Sequence, residues 1–299
     1  MPTQAWSMAP DGSSRRLETN MRLGYNTNGM AHHELFDAVT LLAEIGYRSV
    51  AITIDHAALA PGEKYLAQRL TRLRRLLDGF GMRSVIETGA RYLLDPKKKH
   101  EPTLITANPA GRARRIAFYK HAIDCAAALG SDCVSLWSGV LHDATDDHRA
   151  VDRLVEGLSE VLDYGAGQGV AIGLEPEPGM LIDSMARYES LLRHLDTPNL
   201  RLTLDIGHLH CQGEVPIARV VERWAPRLVN VHIEDMRSGV HEHLRFGQGE
   251  IDFPPVLRAL ADAGYQGGVH VELSRHSHEA PEAAKQAFEF LQPLVAERP

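Results

Sequence analysis

The sequence predicts an α/β fold, a (β/α)8 TIM barrel. Short apolar or β-branched runs alternate with longer segments of helical period, which is typical of parallel strands joined by crossover helices. Eight such runs fit within 299 residues. No G-x-G-x-x-G follows the first run, so the pattern does not favour an open dinucleotide-binding sheet. In such a barrel the active site is expected where the strands' carboxyl ends meet their loops.

The strand candidates follow one another along the whole chain. They are, in order, MRLGYN, SVAITI, MRSVIE, DCVSLW, VAIGLE, LRLTLD, LVNVHI and GGVHVEL. The segments between them include HELFDAVTLLAEIG, YLAQRLTRLRRLLDGFG, RARRIAFYKHAIDCAAALG and HRAVDRLVEGLSEVLDYGAGQG. Each of these ends in Gly, which favours a left-handed helix cap. We therefore predict one barrel domain over residues 21–299, preceded by a flexible polar leader over residues 1–20.

The composition limits the class of protein. With 44% hydrophobic and 24% charged residues, the chain is typical of soluble globular proteins. No apolar run reaches the roughly 18 to 20 residues of a membrane span, and the N-terminus lacks the apolar centre of a signal peptide, so we expect a cytoplasmic protein. Cys125, Cys133 and Cys211 show no C-x-x-C spacing, which argues against disulfides and thiolate metal sites. The net charge of -7 argues against nucleic acid as the main partner.

Charged or imidazole side chains end four consecutive predicted strands. The fifth strand ends at Glu175, the sixth at Asp205, the seventh at His232 and the eighth at Glu272. Three carboxylates at one rim would repel one another strongly without a cation. The set suits one divalent metal ion, Mn²⁺ or Mg²⁺ by its oxygen-rich ligands, with Co²⁺ or Zn²⁺ as alternatives. The same-facing neighbours two positions earlier are small or polar, as expected near a barrel mouth: Gly173, Thr203, Asn230 and His270.

These residues resemble the xylose isomerase-like barrel superfamily, which includes sugar isomerases, ketose 3-epimerases, inosose-processing enzymes and the endonuclease IV group of nucleases. In that family, strands five to eight supply a Glu often followed by Pro, then Asp, His and Glu. Glu175 with Pro176, Asp205, His232 and Glu272 match this pattern. In the ketose 3-epimerase branch, two metal-bound glutamates exchange a proton next to a carbonyl. The resemblance implies that catalytic role for Glu175 and Glu272.

The EPEP motif departs from the EPKP of true xylose isomerases. Glu177 stands where their lysine polarises the substrate carbonyl during a hydride shift. We therefore expect an isomerase or epimerase that transfers a proton through a metal-stabilised enediolate, with a carboxylate as acid or base. The expected substrate is a small sugar, sugar phosphate or cyclitol. Dehydration of a cyclitol ketone would need the same metal and base, so a lyase stays open, as do the exact substrate and a homo-oligomeric state.

Several other side chains are candidates for contact with the substrate. A histidine three residues after the strand-six Asp commonly contacts substrate or a further metal in the family, and His208 stands there. An aromatic residue at a strand exit could stack on a sugar ring or pack in the core, which applies to Trp137 and Tyr25. The full set of predicted substrate-binding residues is His208, Glu177, Arg237, His243, Trp137 and Glu87.

A long loop follows the third strand, residues 87–104. It carries Arg91, Lys97, Lys98, Lys99 and His100 on an otherwise acidic protein. Such a lysine run is usually a solvated surface. On a catalytic rim it would instead attract a phosphate or carboxylate of the substrate.

The alternative is a metal-dependent phosphodiesterase of the endonuclease IV type acting on abasic DNA. His241 and His243 resemble the Asp-x-His pair of those trinuclear zinc nucleases, with His in place of Asp, and would hold an additional metal or line the sugar pocket. Earlier loops offer His56, His100 and His142. The acidic net charge and the missing aspartate argue against a nuclease. A barrel that only binds a sugar is disfavoured because all four ligands are present.

Overall fold

The computed structural model describes residues 21–296, so the predicted leader over residues 1–20 lies outside the described residues. Ten strands are present among the described residues. They are β1 Arg22–Asn26, β2 Ser49–Thr53, β3 Arg83–Glu87, β4 Cys133–Trp137, β5 Ala171–Glu175, β6 Leu200–Asp205, β7 Leu228–Ile233, β8 Asp235–Arg237, β9 Val240–Leu244 and β10 Gly268–Val271. Eight of them close a parallel barrel in the order β1-β10-β7-β6-β5-β4-β3-β2. The predicted (β/α)8 barrel is confirmed, and all eight predicted strands belong to it.

Helices alternate with the barrel strands. They are α1 Leu35–Ile45, α2 Leu66–Phe80, α3 Pro109–Leu129, α4 Asp147–Gln168, α5 Met185–Leu192, α6 Ile206–Cys211, α7 Ile217–Trp224, α8 Phe253–Asp262 and α9 Ala280–Ala296. The glycines predicted to end α2 and α4, Gly81 and Gly169, have φ of 63° and 69°. Within residues 21–296, none of the helices combines the length and apolar character needed to cross a bilayer.

Apolar residues fill the layer between the barrel and its helices. A second, smaller apolar cluster of Ala51, Val85 and Cys133 is separate from it, and buried polar side chains lie on the same strands. Tyr25 is fully buried and packs edge-on against Tyr47, with ring centroids 5.7 Å apart, so its place is in the core rather than on a sugar. Inside the barrel, His270 occupies space that two glycines leave free, because a Cβ at Gly24 or Gly268 would overlap its ring. The three cysteines are buried and free.

The segment after β7 is an antiparallel hairpin of β8 and β9, which we did not predict. Asp235 holds the loop after the hairpin in place, because its carboxylate accepts hydrogen bonds from the backbone N–H groups of Gly247 and Gly249, each at 2.9 Å, and of Ile251 at 3.2 Å. His241 and His243 are two residues apart in β9 and therefore share one face. The hairpin thus carries both histidines as a pair.

A buried arginine anchors the long loop after β3. Arg115 on α3 is fully buried and donates hydrogen bonds to the carbonyls of Pro102 at 2.6 Å, His100 at 2.5 Å and Thr88 at 3.2 Å. Its guanidinium also lies 5.0 Å from the ring centroid of Trp137. A cation binds such carbonyls more strongly than a neutral donor does. Arg115 therefore fixes this loop against the strand that carries Trp137.

Candidate active site

Neighbouring strands bring the four predicted ligands together. Glu175 and Asp205 are the last residues of β5 and β6, His232 lies in β7, and Glu272 follows β10 directly. In the barrel register Asp205 is opposite His232, which in turn is opposite His270, two residues before Glu272. The parallel register therefore places all four side chains at one end of the barrel, as the sequence predicted.

The four side chains are close enough to share one ion. Nδ1 of His232 lies 3.1 Å from Oε1 of Glu175, 3.0 Å from Oε2 of Glu272 and 3.9 Å from Oδ2 of Asp205. One donor atom from each of the four residues lies within 4.8 Å of the others. Three carboxylates and one imidazole at this separation could hold a divalent cation.

Asp205 supplies an independent sign that a cation fits. Its Oδ1 caps α6 by accepting the backbone N–H of His208 at 2.8 Å. Its Oδ2 is buried and has no hydrogen-bond partner among residues 21–296. A buried carboxylate oxygen left bare is costly, and metal binding is one of the few ways to satisfy it.

Burial and mutual repulsion perturb the ionisation of these groups. Burial and the nearby carboxylates raise the pKa of Glu175 to about 8, against the attraction of His232. Burial also opposes ionisation of Glu272, but the positive charge of His232 outweighs it and holds the pKa of Glu272 well below its usual range. The pKa of His232 lies well above its usual range because Glu175, Glu87 and Glu272 overcome its burial. The site therefore concentrates negative charge that a single cation would neutralise.

A cavity of about 680 Å³ opens above these residues. This volume is within the range of small-molecule sites in proteins. Glu175, His232 and Glu272 lie at the cavity, whereas Asp205 and His208 lie beside a much smaller one. Five of the six predicted substrate-binding residues are near the ligand set, and four of them line the large cavity: Glu87, Trp137, Glu177 and His243.

Arg237 is the exception among the predicted substrate-binding residues. It ends β8, is exposed, and donates a hydrogen bond from Nη2 to the carbonyl of Gln248 at 3.1 Å. It does not line the large cavity. The physical reason is its place in the hairpin: Arg237 pairs with Val240 next to the turn, whereas His241 and His243 of β9 line the cavity.

His208 and the hairpin histidines form a second group of possible ligands. Nε2 of His208 lies 3.1 Å from Nε2 of His241, and one nitrogen from each of His208, His241 and His243 lies within 4.8 Å of the others. Burial lowers the pKa of His208 to about 4, despite the attraction of Asp205. A neutral imidazole is the form that binds metal. Glu177 lies 3.8 Å from both His208 and His241.

The other loop histidines do not join this group. His56 is exposed and lines a neighbouring cavity of about 210 Å³. His142 is exposed, with Nε2 3.2 Å from Oε1 of Glu101. His100 does line the large cavity, and its ring lies edge-on to Trp137 with centroids 5.4 Å apart. The structure thus brings one of the three early histidines to the cavity.

The basic residues of the loop after β3 do not all reach the cavity. Arg91, Lys99 and His100 line the large cavity, whereas Lys97 and Lys98 are exposed and do not. Arg275, which follows β10 in the sequence, also lines this cavity. The outer part of the cavity is therefore basic, while its floor is acidic.

Two functional candidates were missed in the sequence. Asn28 follows β1, and its Nδ2 donates a 2.6 Å hydrogen bond to Oε1 of Glu272. Glu234 is fully buried beside the site, and burial together with the neighbouring carboxylates of Asp205 and Glu272 holds its pKa well above the usual range. The only sequence signal for either was a polar residue just after a strand, which is also typical of turns.

Comparison with known proteins gives a consistent answer. The sequence model of the family described as "Xylose isomerase-like TIM barrel" matches residues 39–294. An uncharacterised protein of Methanocaldococcus jannaschii is 26% identical over 227 residues, covering 70% of this chain and 78% of its own. The L-ribulose-5-phosphate 3-epimerase UlaE of Salmonella paratyphi A is 25% identical over 263 residues, covering 79% of this chain and 91% of its own.

A solved structure shares the fold across nearly the whole chain. The D-allulose 3-epimerase of a Methylomonas species superposes with a TM-score of 0.72 at 20% identity, covering 92% of this chain and 98% of its own. The family match spans most of the residues that form the barrel, including all four clustered ligands. The chain therefore belongs to the xylose isomerase-like TIM barrel family.

Proposed function

We propose that this protein is a divalent-metal-dependent sugar or cyclitol epimerase or isomerase that transfers a proton at the carbon next to a carbonyl. One observation carries the proposal: Glu175 and Glu272 lie at the floor of a cavity, each about 3 Å from the same nitrogen of His232. Two carboxylates placed together in this way can remove a proton and return it. The 25% identical relative described as an L-ribulose-5-phosphate 3-epimerase supports this reaction class.

Glu175, Asp205, His232 and Glu272 would hold the metal, with Mn²⁺ or Mg²⁺ favoured by the three carboxylates. The bare Oδ2 of Asp205 and the clustering of the donor atoms fit that assignment. A cation bound there would polarise the substrate carbonyl and make the neighbouring C–H more acidic. We also propose that His208, His241 and His243 either line the sugar pocket or hold an additional metal.

The proposal assigns the proton transfer to side chains of the protein itself. Glu175 and Glu272 are the proposed acid and base, and Asn28 holds Oε1 of Glu272 by a 2.6 Å hydrogen bond. Trp137 offers an apolar surface for a sugar ring, and its position is fixed by Arg115. Because no lysine follows Pro176 in the EPEP motif, proton transfer is favoured over a hydride shift. A cytoplasmic location remains part of the proposal.

Exchange with deuterated water tests the proposed reaction. The Mn²⁺-loaded protein should incorporate deuterium next to the carbonyl of its substrate in a panel of ketoses, inososes and sugar phosphates, measured by NMR. A hydride shift would convert substrate without incorporating solvent deuterium, and a dehydratase would show loss of water. Conversion without deuterium would overturn the proton-transfer mechanism.

Lys99 is expected to help bind an anionic substrate, because it is the one lysine of the loop that lines the cavity. Lys99→Ala should raise KM for a phosphorylated or acidic sugar about tenfold, equivalent to roughly 1.4 kcal/mol, and leave KM for a neutral sugar unchanged. Lys97→Ala is the matched control, since Lys97 is exposed outside the cavity. Equal effects of the two substitutions would show that only the overall charge of the loop matters.

We predict that the protein does not cleave DNA. An abasic-site nuclease binds its duplex through many phosphate contacts and loses affinity steeply as salt rises, whereas this chain has 39 acidic and 32 basic side chains. The purified protein with Zn²⁺, Mn²⁺ or Mg²⁺ should neither incise an abasic duplex nor bind it in a salt-sensitive way at physiological ionic strength. Specific incision that Glu272→Gln abolishes would make the nuclease the better interpretation.

A further inference from the structure

We propose that Glu87 is a positioning residue for His232 and the last member of a buried hydrogen-bond chain that includes Ser49, His270 and Asn230. The chain keeps a proton on Nε2 of His232 and leaves Nδ1 free to bind a cation. This inference rests on the metal site of the proposed function. It gives Glu87 a task other than the substrate contact that the sequence suggested.

The two nitrogens of His232 face different groups. Nδ1 points to the ligand set, 3.1 Å from Glu175 and 3.0 Å from Glu272. Nε2 lies 2.9 Å from Oε1 of Glu87. An imidazole that binds metal through one nitrogen carries its proton on the other, and a carboxylate acceptor for that proton orients the ring and makes it a better ligand. Glu87 is placed to be that acceptor.

The position of Asn230 indicates that Nε2 of His232 carries a proton. Its Nδ2 lies 2.9 Å from Oε1 of Glu87 and 3.1 Å from Nε2 of His232. If Nε2 were unprotonated and accepted from Asn230, it would face the carboxylate of Glu87 at 2.9 Å as a second acceptor, and the two lone pairs would repel. With Nε2 protonated, Oε1 of Glu87 accepts from both His232 and Asn230, and its negative charge strengthens both bonds.

The orientation of Asn230 fixes the tautomer of His270. The carboxylate of Glu87 can only accept, so Nδ2 of Asn230 faces it and Oδ1 faces His270, where Nδ1 at 2.8 Å must donate. Nε2 of His270 then lacks a proton and accepts from the hydroxyl of Ser49 at 2.8 Å, a shorter contact than the 3.4 Å from that hydroxyl to the carbonyl of Arg83. Every donor in the chain therefore points the same way, from Ser49 towards Glu87.

The hydrogen-bond chain lies in the barrel interior. Ser49, Asn230 and His270 are fully buried, and Gly24 and Gly268 leave the space that the His270 ring occupies. Apolar side chains would fill this interior without needing any hydrogen-bond partner. Packing alone therefore does not account for four connected polar residues, whereas fixing the orientation of a metal ligand does.

The test is the affinity of the metal-free full-length protein for Mn²⁺, measured by titration without substrate. Glu87→Gln should weaken Mn²⁺ binding by about 10- to 100-fold, the usual effect of losing such a partner, while the far-UV circular dichroism stays unchanged. Glu101→Gln is the matched charge control, because Glu101 is a buried carboxylate of the same loop and belongs to none of the groups of possible metal ligands among the described residues. It should change the affinity less than the Glu87 substitution does.

Nitrogen-15 NMR of the Zn²⁺-loaded wild type gives a second readout that needs no variant. A proton on Nε2 of His232, protected from exchange, supports the inference, and a proton on Nδ1 overturns it. Unchanged Mn²⁺ affinity in Glu87→Gln, or an equal loss in Glu101→Gln, would also overturn it while leaving the proposed function intact. Failure of the wild type to bind any of Mn²⁺, Mg²⁺, Co²⁺ and Zn²⁺ would refute the metal site and this inference together.

Discussion

Replacing Glu175 or Glu272 by Gln is expected to lower turnover by about 10²-fold or more, the usual contribution of a general acid or base. Each Gln keeps the size of the side chain and one oxygen that can bind a metal ion, but its amide cannot take up or return the substrate proton. The relevant measurement is the rate at which the Mn²⁺-loaded variants incorporate solvent deuterium into the substrate, together with their metal content. Near-wild-type exchange in either variant would contradict the mechanism with two glutamates.

Glu177→Gln is the informative comparison for these variants. Glu177 lines the same cavity and belongs to the same EPEP motif, but it lies 3.8 Å from His208 and His241 and outside the set of four clustered ligands. As a substrate-binding residue it should affect KM more than kcat, because removing it weakens binding without removing the acid or base. A kcat loss as large as that of the Glu272 variant would mean that Glu177 takes part in the proton transfer.

The barrel was predictable because each of its strands is a short apolar run. The four helical segments quoted from the sequence also end in Gly. The placement of the four proposed ligands was predictable because a residue at the carboxyl end of a parallel strand lies at the barrel mouth whatever its partners are. Glu175, Asp205, His232 and Glu272 could therefore be assigned to one rim from their positions alone.

Contacts between distant segments were not predictable in this way. Asn28 and Glu272 are 244 residues apart, and their hydrogen bond depends on the register by which β1 pairs with β10. The hydrogen-bond chain from Ser49 to Glu87 joins residues of β2, β10, β7 and β3, so it depends on several strand registers and on contacts across the barrel. His270 is recognisable in the sequence only as a polar inward-facing residue, because its direction is readable from strand alternation but its partner is not.

The hairpin of β8 and β9 shows a different limit. Its strands are three and five residues long and mostly polar, so they lack the apolar run that identifies a barrel strand. Its shape depends on Asp235, which accepts backbone hydrogen bonds from Gly247, Gly249 and Ile251. Without that information Arg237 appeared to face the cavity, whereas the pairing of His241 with His243 could still be inferred from their spacing.

Removing the carboxylate of Asp205 is expected to abolish stoichiometric metal binding, because its Oδ2 is buried and has no hydrogen-bond partner among the described residues. Asp205→Ala also removes the cap of α6, which costs roughly 0.5 to 2 kcal/mol of stability. Asp205→Asn separates the two effects, since its amide oxygen can still accept the N–H of His208 while the charge is gone.

Elemental analysis of the purified variants measures the metal, and far-UV circular dichroism with thermal unfolding measures the fold. Both variants should lose the metal while keeping the spectrum of a barrel, and Asp205→Asn should unfold at a higher temperature than Asp205→Ala. In metal-free buffer this order should persist, because it then reflects the cap alone. Stoichiometric metal in either variant would show that Asp205 is not a ligand. It would also contradict the argument that one cation offsets the charge of three carboxylates.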